Sequence, residues 1–140
     1  MDATLLAVGR LRPYYREACD DYAARLGRHV RLGQVEVRDD ARLAARVPAG
    51  ATLVCLTRDG TGWTSAALAA QVDSWRLAAR PVAFAIGGST GLDADLLTRA
   101  AHRWSLGPLT LPHELARVVV LEQLYRAFTI LRGEPYHKGR

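Results

Sequence analysis

Three stretches in the last two-fifths of the chain hold the groups best placed to do chemistry together. The first, Ile86-Gly87-Gly88-Ser89-Thr90-Gly91-Leu92, sets three glycines just after an apolar run. Glycines at such a point let backbone amides approach a ligand, because no Cβ stands in the way. The order G-G-x-x-G is neither the dinucleotide fingerprint nor a phosphate-cradling P-loop, and no Gly-Lys-Ser/Thr follows it. On its own it reads first as a tight turn between a strand and a helix. The second stretch, Leu106-Gly107-Pro108-Leu109-Thr110-Leu111-Pro112, is apolar and stiffened by two prolines, where an ordinary surface loop is more polar. Apolar side chains with free backbone amides and carbonyls suit a purine ring and a neutral edge, not a triphosphate. A packed connector is the other reading. The third stretch is the tail Tyr136-His137-Lys138, with Arg117, Arg126, Arg132 and Arg140 around it. An unperturbed histidine titrates near neutrality and suits proton transfer. Cations and an aromatic near a terminus fit RNA backbone and base contacts, and a solvated tail is the plain alternative. Glu122 and Arg126, four residues apart, can pair with each other on a helix.

The elements that must carry these groups follow from periodicity and punctuation. Thr4 to Val8 is a short apolar run ending at Gly9, as in a buried strand. Pro13 suits a helix start, and Tyr15, Ala18, Cys19, Tyr22 and Leu26 recur at helical spacing, which predicts a helix from Pro13 to about Gly27. Val30 to Val37 reads as a second strand. Asp39 to Arg46 is a short polar helix at most, ended by Pro48 and Gly50. Ala51 to Leu56 reads as the third strand, followed by a turn at Asp59-Gly60 and Gly62. Thr64 or Ser65 caps a helix bearing Leu68, Val72 and Trp75. Pro81 to Ile86 is the fourth strand, Asp93 caps a helix to about Ala101, and His102 to Leu106 is a short fifth strand. The last helix runs from near His113 to near Arg132, where Gly133 and Pro135 stop it.

Strands alternating with helices specify an α/β fold with a mostly parallel sheet. The 140 residues suit one domain, residues 1–140, with a real core. The last helix is apolar nearly all round, from Leu115 through Val118, Leu121, Leu124 and Phe128 to Leu131. Such a helix is buried on two sides, and a second subunit is the expected cover, with a central core helix as the alternative. Trp63, Trp75 and Trp104 read as core side chains. A net charge of +5 fits a polyanionic partner but equally a soluble basic protein. Cys19 and Cys55 are expected as free thiols in a reducing cytoplasm. There is no Cys/His metal spacing, no nucleophile triad, no apolar run long enough to span a membrane, and the N-terminus reads as a strand rather than a signal peptide.

The motifs I-G-G-x-x-G-L, L-T-L-P-H-x-L-A-R-V and L-Y-R-A-F-x-I-x-x-x-x-P-Y-H-K, in this order from Ile86 to Lys138, resemble the ribosomal RNA large subunit methyltransferase H family. These are 23S rRNA pseudouridine N3-methyltransferases of the SPOUT superfamily. The likeness extends to Leu5-Leu6-Ala7-Val8-Gly9-Arg10-Leu11-Arg12 and covers nearly the whole chain. It implies an α/β fold with a C-terminal trefoil knot, a homodimer whose active site draws on both chains, and S-adenosylmethionine as cofactor with no metal. It implies the 23S rRNA of an assembled ribosome as partner and the cytoplasm as location. Carried over by position, the cofactor contacts are Leu56, Gly87, Leu106, Gly107, Pro108, Leu109, Thr110 and Leu111. The catalytic expectations are Arg126, Tyr136 and His137, with Lys138 and Arg140 on RNA. Thr57 stands where the family often has an acidic residue, and the stretch from Arg38 to Gly50 is short where the family has a lysine-rich loop. The alternatives are a knotted methyltransferase acting on another RNA, and a dimeric RNA-binding module without turnover.

Overall fold

The computed structural model of the chain describes residues 1–138. Five strands form one sheet in the order β2-β1-β4-β3-β5, and every pairing is parallel. They are β1 (Asp2–Val8), β2 (Arg31–Val37), β3 (Thr52–Thr61), β4 (Val82–Ile86) and β5 (His102–Trp104). The helices are α1 (Pro13–Leu26), α2 (Ser65–Ala78), α3 (Ala94–Arg99) and α4 (His113–Leu131). This is the expected α/β architecture. The central strand β4, Val-Ala-Phe-Ala-Ile, is buried at every residue, as a parallel strand covered on both faces must be.

Local signals place the helix starts. Pro13 opens α1 at a position whose N–H would be unpaired anyway. Thr64 Oγ1 accepts the Ala67 N–H at 3.0 Å and Asp93 Oδ1 accepts the Leu96 N–H at 3.0 Å, capping α2 and α3.

Alternation along the strands sorts side chains onto two faces. Leu5, Val54, Phe84 and Trp104 point to the face covered by α1, α2 and α4. Leu6, Leu53, Cys55, Ala83 and Ala85 point to the other, which is roofed by α3 and by two 3-10 turns, Asp40–Arg42 and Ala44–Arg46. The three tryptophans pack edge-on or tilted against each other and against Phe84, as core side chains. Both thiols are buried and free, and burial pushes that of Cys55 up to about 11.

Two expectations need correction. The segment from Asp39 to Arg46 is not a polar helix: its turns bury Leu43 completely and Asp40 to 6 % exposure. Asp59 and Gly60 are not a turn but part of β3, which runs on to Thr61 through a register shift against Trp104. A Cβ on Gly60 would lie 2.5 Å from the Arg103 carbonyl group, so this glycine serves close strand approach. The apolar residues of α4 fall on two sides. Leu121, Leu124, Ala127 and Phe128 are buried in the core that α4 forms with α1, α2 and the sheet. What remains part-exposed on α4 is a narrower strip containing Leu115, Val118, Val119, Glu122 and Arg126.

Candidate active site

A cavity of about 490 Å³ opens beyond the carboxyl ends of β3, β4 and β5. That is where open α/β sheets bind ligands, and the size suits a small-molecule cofactor. Leu56 and Thr57 from β3 line it, with Ile86 and the glycine turn after β4. The loop before α4 supplies Leu106, Gly107, Leu109, Thr110 and Leu111, and α4 itself adds His113 and Ala116. Of the expected cofactor contacts, the structure thus brings together Leu56, Gly87, Leu106, Gly107, Leu109, Thr110 and Leu111. Pro108 is exposed and does not line the cavity.

The glycine turn is shaped by packing on its outer side. A Cβ on Gly88 would fall 2.9 Å from Val8 Cγ1, and one on Gly87 would lie 3.0 Å from both Asp40 Oδ1 and the Leu92 nitrogen. Asp40, from the first 3-10 turn, accepts the Gly88 N–H at 2.7 Å. The proline loop is held by Ser105. Its N–H donates to Thr61 O at 2.9 Å, and its hydroxyl accepts the Gly107 N–H at 3.1 Å. Gly107 has φ +119°, a conformation that strains any side chain. Asp40 and Ser105 escaped the sequence reading. Neither carries a motif of its own, and only the fold brings Asp40 to the glycine turn.

The cavity wall is largely apolar; Thr57 Oγ1 is turned out of it, buried against Gly60 with no partner among the described residues. Apolar walls and closely approaching backbone fit the adenosine and thioether parts of S-adenosylmethionine.

The tail groups gather elsewhere. Tyr136, in a 3-10 turn from Pro135 to His137, donates its hydroxyl to Glu122 Oε2 at 3.1 Å and lies 3.4 Å from the Tyr22 hydroxyl. Arg126 Nε donates to the same Glu122 oxygen at 3.0 Å, and its guanidinium sits 4.9 Å from the Tyr136 ring centroid. The expected helix pair of Glu122 and Arg126 is therefore present. Burial, the Tyr22 contact and the Glu122 charge all push the Tyr136 hydroxyl well above its ordinary pKa, so it keeps its proton and acts as a donor. Lys138 is exposed. The His137 side chain and Arg140 lie outside the described residues. Ala116 lines the cavity and Arg126 belongs to the tail cluster, ten residues further along α4. At the helical rise that is about 15 Å. The cavity and the tail cluster of one chain are separate sites. Among the described residues no group of three or more His, Cys, Asp or Glu side chains gathers as a metal site, and no helix is long and apolar enough to cross a membrane.

The profile of a family described as "Predicted SPOUT methyltransferase" matches residues 1–137. The chain is 44 % identical over 143 residues to the protein named Ribosomal RNA large subunit methyltransferase H of Sorangium cellulosum (strain So ce56), covering 97 % of this chain and 99 % of that one. Among solved structures it resembles a "probable methylase family protein" from Haemophilus influenzae Rd KW20, with a TM-score of 0.60 at 11 % identity, over 94 % of this chain and 66 % of that one. It also resembles the SpoU methyltransferase AviRb from Streptomyces viridochromogenes, solved in complex with the cofactor AdoMet. There the TM-score is 0.50 at 18 % identity, over 88 % of this chain and 56 % of that one. At such identities the two structures bear on the fold.

Proposed function

This chain belongs to the SPOUT methyltransferase family, and we propose that it methylates N3 of a pseudouridine in the 23S rRNA of the large ribosomal subunit. The observation that carries the reading is the full-length similarity to a relative named for ribosomal RNA methylation. The cavity of β3, β4 and β5 is its structural support, because the glycine turn and proline loop that carry the family resemblance also line it. S-adenosylmethionine supplies an electrophilic methyl group when bound. Leu56, Gly87 and the loop residues Leu106, Gly107, Leu109, Thr110 and Leu111 hold the cofactor.

The protein's own part is to place N3 in line with that methyl and to favour loss of the N3 proton. A nearby cation stabilises the resulting uracil anion, a role for Arg126. Tyr136, whose hydroxyl donates to Glu122 and whose ring lies beneath the Arg126 guanidinium, holds that cation in place. His137 is the candidate proton acceptor, and Lys138 and Arg140 contact RNA. His137→Ala separates an obligatory base from a positioning tail: a small loss that higher pH restores argues against the base.

The reading includes a homodimer. Cavity and tail cluster lie apart along one α4, so antiparallel pairing of two α4 strips across a two-fold axis brings each tail to the partner's cavity. Val118 and Val119 belong to that strip, so Val118→Glu with Val119→Glu should yield a folded monomer in sedimentation without turnover. Mixing Gly87→Val chains with Tyr136→Ala chains should restore roughly a quarter of wild-type activity, since half the dimers are mixed and each then holds one intact site. Additive activities of the two dead variants would remove the shared site. The expected trefoil knot belongs to the same reading, and an experimental trace of the backbone through the proline loop tests it.

The deciding experiment is reverse transcription across 23S rRNA of ribosomes incubated with the protein and S-adenosylmethionine. Those ribosomes come from cells lacking the native enzyme. N3 lies on the Watson–Crick edge, so methylation stops the transcriptase one base early. A cofactor-dependent stop at a pseudouridine is the expected result. No stop, with S-adenosylhomocysteine still bound in calorimetry, points to another RNA or a module without turnover.

A further inference from the structure

The arginines of this protein differ in how they are held. On the side of α1, α2 and α4 many reach a carboxylate, exposed Arg28 being an exception among the described residues. Arg12 pairs with Glu114 at 3.0 Å, Arg16 and Arg117 with Glu36 at 3.1 and 2.6 Å, Arg76 with Asp73 at 2.7 Å, and Arg126 with Glu122 at 3.0 Å. On the opposite face of the sheet Arg42 is taken up by Asp39, but Arg46, Arg99 and Arg103 have no carboxylate partner among the described residues. All three are exposed.

Two of them are positioned nonetheless. Arg99 Nη1 donates to Ala44 O at 3.5 Å, reaching from α3 to the 3-10 turn that ends at Arg46. Arg103 Nη2 donates to Leu97 O at 3.3 Å, reaching from β5 to α3. A carbonyl orients a guanidinium without cancelling its charge, and the remaining N–H groups stay free to donate. Three elements therefore bring three uncompensated cations to one face. The nearest carboxylates on α3, Asp93 and Asp95, sit at its start, and Asp93 is engaged in capping. Arg58, exposed and likewise without a carboxylate partner among the described residues, lines the cavity on β3, the strand that pairs with β5.

We propose that Arg46, Arg99 and Arg103 form a docking face for the sugar-phosphate backbone of the RNA substrate, and that Arg58 continues it to the cavity mouth. The proposal rests on the reading above that the substrate is RNA. Guanidinium forks match phosphate oxygens, and neutralising phosphates releases counterions, which makes binding depend steeply on salt. The face reads backbone rather than bases. It supplies affinity and orientation, while the cavity and tail do the chemistry.

The test compares wild type with the triple variant Arg46→Gln, Arg99→Gln, Arg103→Gln. S-adenosylhomocysteine affinity should be unchanged, which certifies the fold and the cavity. Affinity for large ribosomal subunits should fall tenfold or more, and the slope of log affinity against log salt should flatten by about two to three. KM for subunits should rise with kcat retained. Unchanged affinity and slope would overturn the proposal. So would unchanged RNA binding with lost binding to anionic phospholipid vesicles, which would assign the face to a membrane surface. Should wild type itself leave no methylation stop, the enzymatic reading fails, while the salt slopes of the two proteins on the same RNA still decide the docking face.

Discussion

The two faces of the sheet solve the same burial problem with unequal means. One is covered by three helices of 14, 14 and 19 residues, and its buried Arg117 and part-buried Arg126 are matched by carboxylates. The other is covered by a six-residue helix and two three-residue turns, and keeps Arg46, Arg99 and Arg103 uncompensated. The thick face therefore carries most of the stability, because it removes more apolar surface from water. The thin face carries latches and free charge. Asp40, which holds the glycine turn, belongs to the thin side. The lesson is that a small enzyme can concentrate its stability on one side of a sheet and leave the other for shaping the site and meeting a polyanion.

The largest effect should come from putting a charge into the thick face. Leu121→Asp buries a carboxylate at a position with no exposure, and should abolish cooperative thermal unfolding altogether. Arg117→Met breaks the comparison at its electrostatic side. It leaves part-exposed Glu36 to Arg16 alone and removes the Arg117 bond to Gly9 O, and should cost about 1–3 kcal/mol in denaturant titration. Arg99→Gln on the thin face should change stability by less than about 0.5 kcal/mol. Equal costs for the two would erase the distinction between paired and free arginines.

Asp40→Ala frees the part-buried Gly88 N–H and should cost about 1 kcal/mol, read as weaker S-adenosylhomocysteine binding in calorimetry. Asp40→Asn keeps the acceptor and should recover most of the affinity. Equal loss in both variants would mean that the charge, not the hydrogen bond, matters there.

The smallest effect is a pH dependence on the thick face. His29 stacks on Phe128 with centroids 5.3 Å apart, and burial lowers its pKa, partly opposed by Glu134 and assisted by Arg132 and Arg28. The unfolded chain then binds a proton more readily than the folded one, so stability falls as pH drops below about 6.5 and levels off above it. A melting temperature that declines between pH 7 and 5.5, and does so less in His29→Phe, is the expected outcome.

Much of the scaffold was legible in the chain itself. The apolar run of β4, Pro13 at the start of α1, the caps Thr64 and Asp93, and the breakers after α4 act within a few residues of where they stand. The strand-helix alternation set the α/β class, and the Ile86 to Lys138 motifs pointed to the family that the full-length relatives bear out. The rest hangs on contacts between distant residues. Asp40 meets Gly88 48 positions away, Gly60 meets the Arg103 backbone, and α1 and α2 decide which side of α4 is dry. Periodicity shows that a helix is apolar all round but not what covers it, and a charged residue in a short loop looks the same whether it faces solvent or a backbone amide. Local propensity is encoded along the chain, whereas burial, charge compensation and the separation of cavity from tail are properties of packing, which exist only once distant segments share a surface.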